Sequence, residues 1–276
     1  MGMSKVISTI IAFLLSANTY TVIYTQESRE ETKQATIITE DIVQKTPEEN
    51  ISPIKAITKN TTKATTGSSW WSYPSNIKPV TRSGDDLLVL VDKEYQLPSM
   101  YAPSDLVSIC SNVTNVRCVN NTNFLIRNIV IPDLQEMVNA ATADGIDLSI
   151  RSAYRSYATQ QSTYNYWLSV NGGSVAATDQ VSARAGHSQH QLGTAIDFSS
   201  GEINDGLSGT FASTKASKWL ADNAWKYGFV IGYPAGYESV TGYMYESWHY
   251  RYIGKANAQD MINRGMILEL YLRSVN

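Results

Sequence analysis

The sequence is poor in several residue types, and each shortage excludes a class of protein. Two cysteines in 276 residues exclude a small scaffold built on many disulfides. Charged residues make up only 17% of the chain and the formal net charge is -3, so no basic excess is present to neutralise the phosphates of a nucleic-acid partner. Only residues 6–15 and their neighbours form a long apolar run, which excludes a multi-span membrane protein.

The first 69 residues predict an export segment followed by a tether. Lys5 precedes the apolar run and small residues follow it, so we expect residues 1–24 to be a signal peptide or an N-terminal membrane anchor. A buried N-terminal helix is the alternative. Residues 25–69 are rich in threonine, and no aromatic residue occurs over 27–69, so this segment cannot bury enough apolar surface to become ordered. We therefore expect an extracytoplasmic protein, secreted or anchored, with a disordered linker.

The composition changes abruptly at Trp70. Of the 28 aromatic residues, 25 lie in residues 70–276, which predicts one folded domain of 207 residues. Apolar residues at helical spacing predict helices over 132–143, 158–170 and 213–227. Alternating or short apolar runs predict strands over 146–150, 193–198, 229–233 and 248–253. This mixture indicates an α+β fold in which helices flank an antiparallel sheet.

The two cysteines, Cys110 and Cys118, are close in sequence. In an exported chain they could close a hairpin over residues 107–119 through a disulfide, and the alternative is a pair of reduced, partly buried thiols. The chain has no Cys-x-x-Cys pair, so cysteine is not a candidate metal ligand.

The chain has only three histidines, and two of them lie in stretches suited to metal ligation. His190 is followed by Gly193, Ala195 and Asp197, which combines an imidazole nitrogen with a hard carboxylate oxygen. In strand geometry Gly193, Ala195 and Asp197 share one face, and the two small residues allow close backbone packing.

The second stretch contains Glu246 and His249. With His190 and Asp197, His249 would complete a set of two imidazoles and one carboxylate, which leaves a fourth tetrahedral position open for water, as in catalytic zinc sites. Glu246 would then accept the proton of that water as a general base.

The two motifs together, Ser-x-His-x-x-Gly-x-Ala-x-Asp and Glu-x-Trp-His, resemble the D-alanyl-D-alanine carboxypeptidase family of VanY-like zinc metallopeptidases, which belongs to a superfamily with lysostaphin-type and hedgehog-type domains. The stretch Ser152-Ala-Tyr-Arg-Ser156 and the Tyr-Pro-x-Gly-x-Glu stretch that begins at Tyr233 strengthen the likeness, which runs from about residue 130 to 260. Ala153, Ala185 and Ser247 depart from the family pattern, and none of them is a predicted ligand.

The resemblance implies a role for each matching residue. His190, Asp197 and His249 would bind one zinc ion, and Glu246 would be the general base. Arg155 would stabilise the oxyanion of the tetrahedral intermediate, and Arg151 is the nearby alternative for that role. The residues implied to contact substrate are Gln160, Ser188 and Trp248. His187 falls at a variable position, so we expect it to lie at the rim of the site or to be exposed.

The expected function is that of an exported zinc carboxypeptidase that removes the terminal D-alanine from peptidoglycan stem peptides. The alternatives are an L,D-carboxypeptidase acting on tetrapeptide stems and a catalytically silent zinc-containing module that binds the cell wall. We expect a monomer that meets a membrane only through its N-terminal segment.

Overall fold

The structure is a computed structural model that describes residues 13–15, 18–20 and 72–276. The predicted signal or anchor over 1–24 and the predicted linker over 25–69 lie outside the described residues, except for two short paired strands, Phe13–Leu15 and Asn18–Tyr20. These two strands belong to the first of two units, Met1–Lys59, and all the other elements belong to the second, Asn60–Asn276. No helix among the described residues has the length and apolar character needed to cross a bilayer.

Eight α-helices and eleven strands occur in the described residues, besides short 3-10 turns. The helices are α1 (Ile109–Asn112), α2 (Ile131–Ala143), α3 (Tyr157–Val170), α4 (Val175–Val181), α5 (Lys215–Asn223), α6 (Glu238–Thr241), α7 (Lys255–Asn263) and α8 (Leu268–Val275). The strands are β1 (Phe13–Leu15), β2 (Asn18–Tyr20), β3 (Lys78–Pro79), β4 (Tyr95–Gln96), β5 (Leu106–Ser108), β6 (Arg117–Cys118), β7 (Leu125–Arg127), β8 (Ser149–Ser152), β9 (Ala195–Ser199), β10 (Phe229–Ile231) and β11 (His249–Tyr252).

A five-stranded sheet with the order β10-β11-β9-β8-β6 is the centre of the fold. Its β10–β11, β11–β9 and β9–β8 pairs are antiparallel, as predicted. The edge pair β6–β8 is parallel, so the sheet is mixed. The predicted strand over 146–150 begins later, at Ser149, because the Ile146 amide donates to the carbonyl of Ala141 and so completes the C-terminal turn of α2.

The main core lies on one face of this sheet. Helix α2 buries an i, i+3, i+4, i+7 stripe against the sheet, as its sequence periodicity predicts. The stripe is Leu134, Met137, Val138 and Ala141. Ile196 and Phe198 of β9 belong to the same core. Full burial of each large apolar side chain contributes roughly 1.5–3 kcal/mol, so this face of the sheet is fixed by packing.

The cysteine segment differs from the predicted hairpin. Cys110 and Cys118 are joined by a disulfide, with Cα atoms 6.1 Å apart, which is the predicted pairing. The prediction of a hairpin over 107–119 is wrong, because Ser108 accepts a hydrogen bond from the Ser111 amide and so caps the short helix α1. Arg117 then continues into β6 at the edge of the main sheet, and β5 pairs instead with β7.

A buried arginine ties the segment before β4 to the main sheet. Arg251 of β11 is fully buried, and its Nη2 donates to the carbonyls of Leu87 and Val89 at 3.0 and 2.7 Å. Arg251 is two residues after His249, so its side chain lies on the same face of the strand, opposite the main core. The N-terminal part of the domain therefore covers the face of the sheet on which the predicted ligands lie.

Candidate metal centre

Two neighbouring strands place Asp197 and His249 side by side. Strands β9 and β11 pair with Asp197 opposite His249. Ile196 and Phe198 of β9 and Tyr250 of β11 point into the main core. Since side chains alternate along a strand, Asp197 and His249 must both point away from that core.

His190 reaches the same place from a short 3-10 turn, Gln189–Leu192, that precedes β9. Ser188 caps the turn, because its hydroxyl accepts a hydrogen bond from the His190 amide at 3.3 Å. Gly193 ends the turn with φ +67°, and a Cβ there would lie only 3.0 Å from the Leu106 side chain. Glycine is therefore required between the histidine and the strand, as its place in the motif indicates.

The three predicted ligands converge. One donor atom from each of His190, Asp197 and His249 lies within 4.8 Å of the others, and all three residues are buried. His190 Nε2 lies 3.2 Å from Asp197 Oδ2, and His249 Nδ1 lies 2.9 Å from Asp197 Oδ1. Tetrahedral zinc with bonds of about 2.0–2.1 Å needs donors roughly 3.3 Å apart. The two distances to Asp197 are within a few tenths of an ångström of that spacing.

The second nitrogen of each imidazole has an oxygen beside it. His190 Nδ1 donates to the Ala153 carbonyl at 2.6 Å, which leaves its Nε2 lone pair facing Asp197. His249 Nε2 lies 3.1 Å from Gln189 Oε1, while its Nδ1 faces Asp197. Histidine ligands in metal sites ordinarily donate their outer N–H in this way. The donor set and its surroundings fit a zinc ion.

The charge states of the buried donors also suit a metal. Burial, followed by the nearby Arg155 cation, lowers the pKa of His190 to about 4, so this imidazole is neutral at pH 7. Burial by itself raises the pKa of Asp197, but the two adjacent imidazoles hold it well below its usual range. Asp197 therefore remains a carboxylate.

Glu246 lies at the edge of this cluster. Its Oε2 is 4.0 Å from His249 Nδ1, and its side chain keeps 18% of its surface exposed. Burial and the Asp197 carboxylate raise the pKa of Glu246 to about 8, against the opposing effect of Arg155. A divalent cation among the three donors would lower that pKa, because an adjacent positive charge favours the carboxylate. Glu246 thus has the position of a proton acceptor next to the candidate metal.

Arg155 lies near the cluster, whereas Arg151 does not share its position. The Arg155 cation lowers the pKa of both His190 and Glu246, and its backbone amide donates to the His190 carbonyl at 3.2 Å. Its buried Nε has no hydrogen-bond partner among the described residues. Arg151 is exposed on β8. The geometry therefore favours Arg155 over its predicted competitor.

The three predicted substrate contacts have structural roles of their own. Gln160 is buried on α3, where its Nε2 donates to the Ala183 carbonyl at 2.7 Å, and its Oε1 has no partner among the described residues. Ser188 caps the turn that carries His190. Trp248 is partly buried and packs against the main core. Their contacts with substrate remain predictions.

His187 is buried, whereas the sequence predicts a residue at the rim of the site or exposed to solvent. Only 2% of its surface is exposed, its Nδ1 lies 2.7 Å from the Asp92 carbonyl, and its ring meets the edge of Tyr73. The expectation of an exposed histidine is wrong, because the N-terminal part of the domain folds over this residue. His187 is also absent from the three-donor group.

Two neighbours of His249 were not predicted as site residues. Gln189 contacts its Nε2, and Tyr233 stacks on its ring with centroids 4.8 Å apart. Gln189 occupies the unspecified position of the Ser-x-His motif, and Tyr233 belongs to a flanking motif, so neither position carried a sequence signal for contact with His249.

Comparisons with known proteins identify carboxypeptidase relatives of this chain. The VanY family model, described as D-alanyl-D-alanine carboxypeptidase, matches residues 123–255. YodJ of Bacillus subtilis (strain 168), which is named as a candidate carboxypeptidase, is 36% identical over 208 residues, covering 74% of this chain and 75% of YodJ.

Solved structures of carboxypeptidases have the same fold. The LdcB LD-carboxypeptidase superposes with a TM-score of 0.64 and 34% identity, covering 74% of this chain and 95% of that one. A VanY D,D-pentapeptidase variant from a VanB-type cassette, solved with Zn(II), gives a TM-score of 0.55 and 30% identity, covering 67% of this chain and 98% of that one. The predicted α+β fold of the hedgehog-like peptidases is confirmed.

The three-donor cluster predicts how metal content responds to substitution. His249→Ala removes one of three protein donors, so this variant should lose most of its zinc at a free zinc concentration that saturates the wild type. Equilibrium dialysis followed by atomic emission measures the zinc per chain. His187→Asn is the matched control, since it alters a buried histidine outside the donor group and should keep one zinc. Full zinc occupancy in His249→Ala would contradict the assignment of His249 as a ligand.

Proposed function

This chain belongs to the VanY family of D-alanyl-D-alanine carboxypeptidases, and we propose that it is a zinc-dependent enzyme that removes the terminal D-alanine from peptidoglycan stem peptides. The observation that carries the proposal is the convergence of His190, Asp197 and His249 with Glu246 at 4.0 Å from His249. A structural zinc site would need four protein donors, whereas three donors with an adjacent carboxylate are typical of a hydrolytic site.

Glu246 and Arg155 have separate roles in the proposed hydrolysis. When bound, zinc supplies the Lewis acidity that activates a water molecule near neutral pH and polarises the amide carbonyl. Glu246 accepts the proton that the attacking water loses, and then delivers it to the amine of the departing D-amino acid. Arg155 places a cation beside the carbonyl oxygen as negative charge develops there, which is worth several kcal/mol in a site shielded from solvent.

A second candidate is an L,D-carboxypeptidase, which trims a stem that ends in a single D-alanine. It is favoured by the likeness to LdcB, whose TM-score and identity both exceed those of the VanY D,D-pentapeptidase. Since both specificities use the same hydrolytic step, the donor cluster does not distinguish them.

A catalytically silent wall-binding module is the third reading, and the site argues against it. Such a module would need metal donors but no general base or cation beside them. Here the Glu246 carboxyl lies 4.0 Å from His249 Nδ1 and has a raised pKa. The Arg155 cation is close enough to oppose the rise in that pKa. A general base and a cation are the groups that hydrolysis adds to a metal site.

We also propose that the protein works outside the cytoplasm, secreted or held by its N-terminal segment as a monomer. The apolar run at 6–15 and the Cys110–Cys118 disulfide support this location, because disulfides persist in oxidising compartments. Cell fractionation should recover the chain outside the cytosol with both cysteines unreactive to alkylation before reduction. A cytosolic chain with two free thiols would contradict this location.

The role of Glu246 predicts separate effects on zinc content and turnover. Glu246→Gln keeps the size of the side chain and removes the proton acceptor, so kcat should fall at least about 100-fold while the zinc content stays at the wild-type level. Release of D-alanine from a stem pentapeptide measures kcat, and atomic emission measures zinc. Near-normal turnover in Glu246→Gln would refute the proposed mechanism.

Substrate specificity can be decided with two peptides. We expect wild-type enzyme to release D-alanine from a stem that ends in D-Ala-D-Ala with a kcat/KM higher than from the otherwise identical stem that ends in one D-alanine. The reverse order would favour the L,D-carboxypeptidase. Release of a terminal residue from neither peptide would defeat both exopeptidase readings, and Glu246→Gln serves as the blank for contaminating peptidases.

A further inference from the structure

We propose that Gln189 is a positioning residue, which accepts the Nε2 proton of His249 in a hydrogen bond and thereby directs the Nδ1 lone pair of His249 to the metal. The inference rests on the proposed zinc site and adds a residue to it. The Ser-x-His motif leaves position 189 unspecified, so the assignment comes from tertiary contacts alone.

Each ring nitrogen of His249 has one oxygen neighbour, and these two contacts decide which nitrogen can carry the proton. Nδ1 lies 2.9 Å from Asp197 Oδ1, and Nε2 lies 3.1 Å from Gln189 Oε1. A neutral imidazole carries one proton, and both oxygens are acceptors. A proton on Nδ1 would occupy the position that the metal requires. Metal binding therefore needs the proton on Nε2, where the amide oxygen of Gln189 receives it.

Burial makes this contact difficult to replace. Gln189 is 3% exposed and His249 is 2% exposed, so bulk water has no ready access to Nε2. Without the amide oxygen, the Nε2 proton would be buried and unpaired in the metal-bound state, which is costly. The cost falls on the bound state in particular, because the metal-free imidazole can instead place its proton between Nδ1 and Asp197.

Packing keeps the ring in this orientation. A Cβ on Gly232 would lie 2.5 Å from His249 Cδ2 and 3.3 Å from Gln189 Oε1, so only glycine leaves room for this pair. On the ring face, Tyr233 stacks at an interplanar angle of 25°. The imidazole therefore cannot swing to find another acceptor without displacing its neighbours.

Gln189 also couples the two imidazole ligands. It precedes His190 on the 3-10 turn that Ser188 caps, so one turn supplies both a metal donor and the hydrogen-bond acceptor for the other histidine. A correctly formed turn thus brings His190 and His249 into their metal-binding orientations together.

The test compares zinc affinities of full-length variants in competition with a chromophoric chelator. Gln189→Leu removes the acceptor at similar size, and its zinc affinity should fall about 10–100-fold, the usual effect of losing such a partner. Gln189→Glu keeps an acceptor oxygen at this position, so this variant should bind zinc at least as tightly as wild type. Gln191→Leu is the matched control on the same turn, because Gln191 contacts the Pro98 and Tyr101 carbonyls and not His249, and its affinity should stay within about threefold.

A second measurement needs no variant. In wild-type protein with 15N-labelled histidine and bound zinc, the His249 ring should carry its proton on Nε2. A proton on Nδ1, or a Gln189→Leu affinity within about threefold of wild type, would overturn the role of Gln189. A wild type that binds no zinc would instead refute the zinc site on which the proposed function depends. Circular dichroism of the metal-free variants checks that each is folded.

Discussion

The antiparallel pairing of β9 with β11, in the register that sets Asp197 opposite His249, is the constraint on which the site depends. A slip of either strand by one residue would turn its own candidate ligand, Asp197 or His249, into the main core and turn its apolar neighbour, Ile196 or Tyr250, out of it. Core packing on one face of the sheet therefore fixes the ligands on the other. The chemistry of the site is held in place by hydrophobic burial several ångströms away.

The cluster gathers groups that are expensive to bury. Burial opposes the charge on Asp197, and it raises the pKa of the nearby Glu246. A divalent cation would offset this accumulation of carboxylates, so the fold and the metal favour the same arrangement. Arg155 contributes a positive charge that lowers the pKa of both His190 and Glu246.

Local sequence patterns predicted much of the fold, and the exceptions have tertiary causes. The apolar stripe of α2 and the alternation within β9 are properties of short segments, and both elements form close to their predicted positions. The predicted hairpin at residues 107–119 does not form, because β6 pairs with β8, a strand about thirty residues further along the chain. His187 is buried under residues more than ninety positions earlier, which no local pattern reveals.

The sequence by itself determined which residues are candidate metal donors and which is the candidate general base, since the types and spacing of His190, Asp197, Glu246 and His249 single them out. Tertiary structure alone decided which atoms of those residues face one another. His249 presents Nδ1 to the cluster and Nε2 to Gln189, a residue sixty positions earlier. The physical reason is that the orientation of an imidazole depends on its packing and hydrogen-bond neighbours, and these come from segments that only folding brings together.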